Sequence, residues 1–428
     1  MKIRVAEKSY EEVIAMETAK HRKPKKPNVL FRTLLKIVST PDLLATKFTC
    51  REIGMEKLGK HEPCLYLMNH SSFIDLKIAS SILYPRPFNI VCTSDGFVGK
   101  NWLMRQLGCI PTKKFVADLT SVRDMIYAVR KLQSSILMYP EASYSFDGTP
   151  TPLPETLGPF LKMLGAPVVM IRTYGAFSRD PLYNNLRRRK VKVSAEMEYI
   201  LSPEEIRRKS PSELNAILKE RFTFDHFRWQ QENEVKISED FRAEGLERVL
   251  YQCPHCLAEG EMHGEDSVVT CRRCGVQYTL DEYGRLSASD AETKFAHIPD
   301  WYAWERECVR REINEGSYRM EAPVDIYMLV DTKRVYRVGE GTLYHDKDGF
   351  RLEGCNGKLV YSQKPIASYS LYSDFYWYEI GDVICIGDTQ ALYYCFPKTN
   401  ISVAKARIAT EELYQLAKAE KDKKKMQK

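Results

Sequence analysis

The 428-residue chain carries 64 Lys and Arg against 57 Asp and Glu, a formal net charge of +7, with 44% apolar and 28% charged side chains. That composition excludes an intrinsically disordered chain, and the length exceeds what one core usually organises, so two or three globular domains are expected. No stretch of about 18 uncharged apolar residues occurs, so membrane attachment is expected to be peripheral.

Residues 1–60 read as a basic, amphipathic, membrane-associating segment. The opening Met1-Lys2-Ile3-Arg4-Val5-Ala6-Glu7-Lys8 is charged where a secretory leader needs an apolar stretch, which points to the cytoplasm and the inner face of a membrane. Positive charge gathers at Lys20-His21-Arg22-Lys23-Pro24-Lys25-Lys26, at Arg187-Arg188-Arg189-Lys190 and at Lys421-Asp422-Lys423-Lys424-Lys425. Each cluster fits either an anionic lipid surface or a solvated face. From Val29 the apolar positions Leu30, Phe31, Leu34, Leu35, Ile37 and Val38 share a helical face, with Arg32, Thr33, Lys36 and Thr40 opposite. Such a helix lies either in a lipid interface or on the protein's own core. Pro41 is expected to break it before a second apolar patch from Leu43 to Phe48.

Residues 61–247 change texture. Apolar runs at 65–68, 88–91, 135–139 and 167–171 alternate with helical stretches, predicting an α/β unit with a central sheet flanked by helices. After the first run comes Asn69-His70-Ser71-Ser72-Phe73-Ile74-Asp75. With the strand ending at Asn69 and Ser71 or Ser72 capping a helix, Asp75 falls in the first helical turn and meets His70 across it. A carboxylate bound to one imidazole nitrogen leaves the other able to take a proton from an alcohol, which makes a general base without a serine nucleophile. On spacing alone the pair also fits a core histidine beside a helix-start aspartate.

Residues 248–285 hold Cys253-Pro254-His255-Cys256 and Cys271-Arg272-Arg273-Cys274, with fourteen residues between the pairs. This spacing resembles a zinc ribbon, in which Cys253, Cys256, Cys271 and Cys274 close a tetrahedral structural zinc site and leave His255 and His263 surplus. Residues 286–322 read as a helical linker. Residues 323–420 show closely spaced strand patterns separated by Gly, Asp and Asn, then a helical pattern through Val403, Ala406, Leu413 and Leu416. That order resembles a pleckstrin-homology-like antiparallel β barrel capped by a helix. Residues 421–428 form a basic tail.

Four segments of the second unit together resemble the glycerol phosphate acyltransferase family, which includes the 1-acylglycerol-3-phosphate acyltransferases. Asn69 to Asp75 is similar to its HX4D block, and Gly108-Cys109-Ile110-Pro111-Thr112-Lys113-Lys114 to the second, which ends in a basic residue. Tyr139-Pro140-Glu141-Ala142-Ser143 is similar to the third, usually Phe-Pro-Glu-Gly-Thr followed by arginine, and Ala166-Pro167-Val168-Val169 to the fourth. The resemblance covers roughly residues 40–200. It implies a mixed sheet flanked by helices, His70 and Asp75 as the catalytic pair, and an acceptor site drawing on Asn69, Ser71, Lys113, Lys114, Glu141, Ala142, Ser143 and Arg172. It also implies an acyl-CoA or acyl carrier protein co-substrate, a lysophospholipid acceptor and a membrane surface rich in anionic lipid.

The third block departs from its pattern: Ala142 replaces glycine, where a side chain would restrict the turn, and Tyr144 stands where arginine is usual. A tyrosine there suits a neutral or larger acceptor; alternatively Lys113, Arg172 or the 187–190 cluster supplies the missing positive charge. A competing reading is a non-catalytic lipid-binding regulator that recruits a protein through the ribbon or the β domain. Nucleic acid is disfavoured, since the ribbon has few aromatics and no basic stripe beyond Arg272 and Arg273.

Overall fold

The computed structural model describes residues 2–17, 21–116 and 118–426. Lys20 of the first basic cluster, and Gln427 and Lys428 of the tail, lie outside the described residues. The chain opens with β1 (Val5–Glu7), α1 (Tyr10–Ile14) and α2 (Val29–Ala45). The central unit follows: β2 (Thr49–Ile53), β3 (Leu65–Met68), α3 (Ile74–Ile82), β4 (Phe88–Thr93), α4 (Asn101–Gln106), β5 (Cys109–Thr112), α5 (Leu119–Arg130), β6 (Ser135–Met138), α6 (Leu157–Leu164), β7 (Val168–Tyr174), α7 (Ala176–Arg179) and β8 (Ser194–Leu201). Its strands run in the order β2-β8-β7-β3-β6-β4-β5, and of these pairs β7–β8 is antiparallel while the others are parallel, so the sheet is mixed as expected.

The middle strand explains why the sheet needs helices on both faces. All four residues of β3 are fully buried. Leu65 and Leu67 enter a core with side chains of α5, α6 and α9 (Pro211–Phe222), whereas Tyr66 and Met68 enter another with side chains of α2 and α3. A parallel strand covered on both sides reads as one continuous apolar run.

Between the sheet and the ribbon, α8 (Pro203–Arg208) and α9 begin with reciprocal capping boxes, Ser202 with Glu205 and Ser210 with Glu213; α10 (His226–Glu232) follows. The ribbon sheet has the order β12-β11-β10-β9, built from β9 (Met262–Glu265), β10 (Val268–Cys271), β11 (Gln277–Leu280) and β12 (Leu286–Ala288). Next comes α11 (Ile298–Glu315), and then β13 (Met320–Leu329), β14 (Val335–Asp346), β15 (Gly349–Gly354), β16 (Leu359–Gln363), β17 (Tyr372–Trp377), β18 (Gly381–Gly387) and β19 (Leu392–Pro397), closed by α12 (Val403–Met426). The C-terminal strands lie in the order β16-β15-β14-β13-β19-β18-β17. Among the described residues no pairing joins the end strands β16 and β17, so this is an open antiparallel sheet with a helix against it, and closure into a barrel is not seen.

Several sequence expectations need revision. Residues 1–60 are not one unit: β1 pairs in parallel with β14, and β2 is the edge of the central sheet. Pro41 does not end α2, which continues to Ala45. The stretch read as a helical linker does hold a helix, α11, but that helix is packed into the protein, with Trp301 fully buried and its Nε1 donating to the Gln252 carbonyl at 3.0 Å. The cluster 187–190 is divided: Arg187, Arg188 and Lys190 stay exposed, the first two pairing with Glu244 and Asp42, while Arg189 is buried and donates to Tyr183, Asn184 and the Arg242 carbonyl.

Candidate active site

The residues after β3, β5 and β6 gather at the C-terminal edge of the central sheet, the edge at which parallel α/β sheets generally hold their ligands. His70 follows β3. Its Nδ1 lies 3.2 Å from Asp75 Oδ2, and that same oxygen accepts from the backbone N–H groups of Ser71 at 2.7 Å and Ser72 at 3.0 Å. The local logic is therefore the reverse of the expected serine cap: neither serine side chain caps α3, and Asp75 reaches back to hold the turn. Three donors converge on one buried carboxylate oxygen, which fixes both its position and the imidazole tautomer. His70 Nε2 has no partner among the described residues, and the side chain is 21% exposed.

The ring of His70 has Tyr139 and Tyr144 on it, each with its centroid 4.2 Å away. Burial lowers the imidazole pKa from its ordinary value; Asp75 opposes this and the Lys114 charge adds to it. The lowered pKa keeps the histidine neutral at physiological pH, with a nitrogen lone pair available to take a proton.

Glu141 is a strut. Its Oε2 accepts from the His70 N–H at 2.9 Å and its Oε1 from the Thr151 N–H at 3.0 Å. Burial pushes its carboxyl up to about 7. Ala142 adopts φ +57°, the left-handed region that a glycine would enter without strain, so the third block folds at a cost on the order of 1 kcal/mol. Ser143 is buried, and its Oγ has no partner among the described residues.

Other expected site residues serve the scaffold. Asn69 Oδ1 accepts from the N–H (2.8 Å) and Oγ1 (3.3 Å) of Thr173, and its Nδ2 donates to Ser71 Oγ at 3.0 Å. Ser71 Oγ also lies 3.3 Å from Nε2 of His226. Arg172 is not brought to His70: it donates to the Arg221 carbonyl and lies over Phe224. Lys113 and Lys114 do reach this edge, but the C-terminal sheet meets them there. Lys113 Nζ donates to the carbonyls of Asp388 and Thr389, and Lys114 Nζ stands 4.1 Å from the Tyr372 ring centre.

Residues 50–172 match the family model described as Acyltransferase. This stretch is an acyltransferase-family domain. The 1-acyl-sn-glycerol-3-phosphate acyltransferase BAT2, chloroplastic, of Brassica napus is 28% identical over 128 residues, an alignment covering 28% of this chain and 36% of the relative. The chain thus spans about a third of the length of the curated relative it matches. Among solved structures, the 1-acyl-sn-glycerophosphate (LPA) acyltransferase PlsC of Thermotoga maritima superimposes with a TM-score of 0.34 at 17% identity, covering 45% of this chain and 76% of that one.

Two residues near the His70 turn were missed from sequence. His226 and Arg407 lie outside every block, and their signal is purely tertiary. His226 is buried, its Nε2 faces Ser71, and burial lowers its pKa to about 3. Arg407, on α12, is buried against the third-block loop.

The ribbon cysteines form a separate cluster. All four sulfurs lie within 4.8 Å of one another, with Cys253 to Cys274 and Cys256 to Cys271 both 3.7 Å apart. A tetrahedral ion with metal–sulfur bonds of about 2.3 Å separates its ligands by about 3.8 Å, so the thiol set fits zinc. His255 is engaged elsewhere, its Nε2 being 3.0 Å from the Tyr278 hydroxyl.

Proposed function

We propose that the protein transfers a fatty acyl group from a thioester, acyl-CoA or acyl carrier protein, to the hydroxyl of 1-acylglycerol 3-phosphate or a related lysolipid, giving phosphatidic acid-type products. The observation that carries this reading is His70: one nitrogen tied to Asp75, the other open at the sheet edge, within a domain of an acyltransferase family. Nε2 takes the proton of the acceptor hydroxyl as that oxygen attacks the thioester carbonyl. Asp75 stabilises the imidazolium, which returns the proton to the departing thiolate. No acyl-enzyme is needed.

The reading places the protein at the surface of a membrane, on its inner face. Among the described residues no helix is long and apolar enough to cross one. Instead α2 buries Leu43 but turns much of its apolar surface outward. Its polar Ser39 and Asp42 face the protein, where Ser39 Oγ meets Ser80 Oγ at 2.9 Å and Asp42 pairs with Lys77 and Arg179. Leu30, Leu34, Ile37, Val38 and Leu44 face outward, with Trp102 exposed nearby. An outward apolar stripe beside the basic run ending at Lys26 suits anionic lipid. Zinc held by Cys253, Cys256, Cys271 and Cys274 would have a structural role.

The test is turnover. Purified protein with acyl-CoA and a lysolipid panel should form diacylated product, and His70→Ala should lower the rate by roughly 100-fold to 10,000-fold. The acid limb of kcat/KM should lie below the ordinary histidine value of about 6.5, because a base with a lowered pKa stays unprotonated as pH falls through that value. A folded His70→Ala protein with near-normal turnover would overturn the mechanism.

A further inference from the structure

The third block wraps His70. Its Glu141 accepts from the His70 N–H at 2.9 Å, and the Ser145 N–H donates to the His70 carbonyl at 3.3 Å. The same stretch supplies two aromatic neighbours of the imidazole. The Tyr139 ring is inclined to it by 29° and the Tyr144 ring by 39°, each with its centre 4.2 Å from the imidazole centre. Two rings this close and this nearly parallel to a third do not fit on one face of it, so the imidazole lies between them. Asp75 takes the Nδ1 edge, which leaves the Nε2 edge for the acceptor. Tyr144 is the half of this sandwich that the family pattern does not supply: Tyr139 stands where that pattern has an aromatic ring, whereas Tyr144 stands where it has arginine. Tyr144 is fixed from two sides, since Arg407 Nη1 donates to its carbonyl at 3.4 Å and the Phe73 ring meets its ring edge-on at 6.0 Å and 82°.

An imidazole that takes a proton becomes a cation, and burial deprives that cation of hydration. The face of an aromatic ring attracts a cation, and does so more strongly where water is excluded. A neutral imidazole feels little of this attraction. It therefore grows as the proton moves, and it acts on the transition state and not on substrate binding. An arginine in the same place would set a second positive charge against the imidazolium. We propose that Tyr144 is a positioning residue for proton transfer, a ring that holds the His70 imidazole between two π faces and stabilises the imidazolium formed when Nε2 takes the acceptor's proton. This rests on the acyl-transfer reading and adds to it a role for the residue that replaces the family arginine.

Asp75 on α3, Glu141 in the third block and Lys114 after β5 bear on His70, and the variants tested leave all three in place. The experiment titrates His70 in the full chain by NMR of carbon-labelled histidine, with His70→Ala to assign the signal. The same proteins are assayed for acyl transfer from acyl-CoA to the best acceptor of the lysolipid panel, and their folding is checked by thermal melts. Tyr144→Leu, which keeps the site apolar but removes the ring, should lower the His70 pKa by about 0.5 to 1 and kcat by about 3-fold to 10-fold, with KM little changed. Tyr144→Phe should keep both near the wild-type values. A folded Tyr144→Leu whose His70 titrates at or above the wild-type value, or whose kcat is unchanged, overturns this inference and leaves acyl transfer standing. So does a Tyr144→Phe that loses as much as Tyr144→Leu. No turnover of any acceptor by the wild type overturns the acyl-transfer reading, and with it the role given to the ring.

Discussion

Arg407, on the last helix, donates from Nη1 to the carbonyl of Tyr144 at 3.4 Å, while its guanidinium carbon lies 3.4 Å from the centre of the Phe146 ring. Its Nε and Nη2 are held by Ser373 Oγ at 2.9 Å and the Ser373 carbonyl at 2.8 Å. One side chain thus ties β17 and α12 to the loop that stacks Tyr144 on His70.

Arg407→Ala should lower stability by about 2–4 kcal/mol, because several buried acceptors lose their donor together. Turnover should fall as well, although the residue lies far outside the acyltransferase-family segment. Thermal melts beside steady-state rates check this; a normal melt with full turnover would show that the brace is dispensable.

Glu141 should leave a signature in the pH dependence of stability. Its folded-state pKa of about 7 exceeds the ordinary 4.5, so the native protein binds more protons than the unfolded chain between those values. Stability from this group is present at low pH and is lost as pH rises, by about 3 kcal/mol in all. Glu141→Gln cannot ionise and should lack this trend, apart from a constant offset for one lost backbone acceptor. Denaturant titrations from pH 5 to 8 give the difference between the two proteins; parallel curves would mean that Glu141 is ionised throughout.

The central sheet and the His70–Asp75 contact were legible because both are local. Buried parallel strands announce themselves as apolar runs, and five residues of chain suffice to bring Asp75 under the imidazole. The cysteine pairs were legible for the same reason. Lys113, Lys114 and Arg172 read alike in sequence, but what each touches is decided by segments about 50 to 275 residues away. For α2 the periodicity was read correctly but left two orientations open, because periodicity does not say which face meets the protein; Ser39 and Asp42 decide that through Ser80, Lys77 and Arg179.

The purified protein should contain about one zinc per chain, and Cys253→Ser with Cys256→Ser should abolish it. Because Tyr278 of the ribbon packs on Trp301 at 4.9 Å, chelation should also shift tryptophan fluorescence. Metal analysis finding equal zinc in both proteins would show that the ligands lie elsewhere.

Replacing Leu30, Leu34 and Ile37, which are 70%, 50% and 60% exposed, with serine should leave the melting temperature nearly unchanged and reduce flotation with anionic vesicles even at low salt. High salt should weaken the wild type's binding without abolishing it, since only the charge contribution is screened. A variant that melts normally and floats like the wild type would show that α2 is not the anchor.

The pairing of Val5–Glu7 with Val335–Arg337 sets an order on biosynthesis. The strand made first waits for a partner made more than three hundred residues later, and closing so long a loop from an unstructured chain costs about 5 kcal/mol. The central sheet and the helices that cover it need nothing beyond α9, so they can form while the ribosome is still translating the ribbon, and their folding shortens the effective loop. A nascent chain truncated before β14 would then hold a finished nucleus with its leading segment still unpaired, and the emergence of β14 would be the event that lets β1 dock.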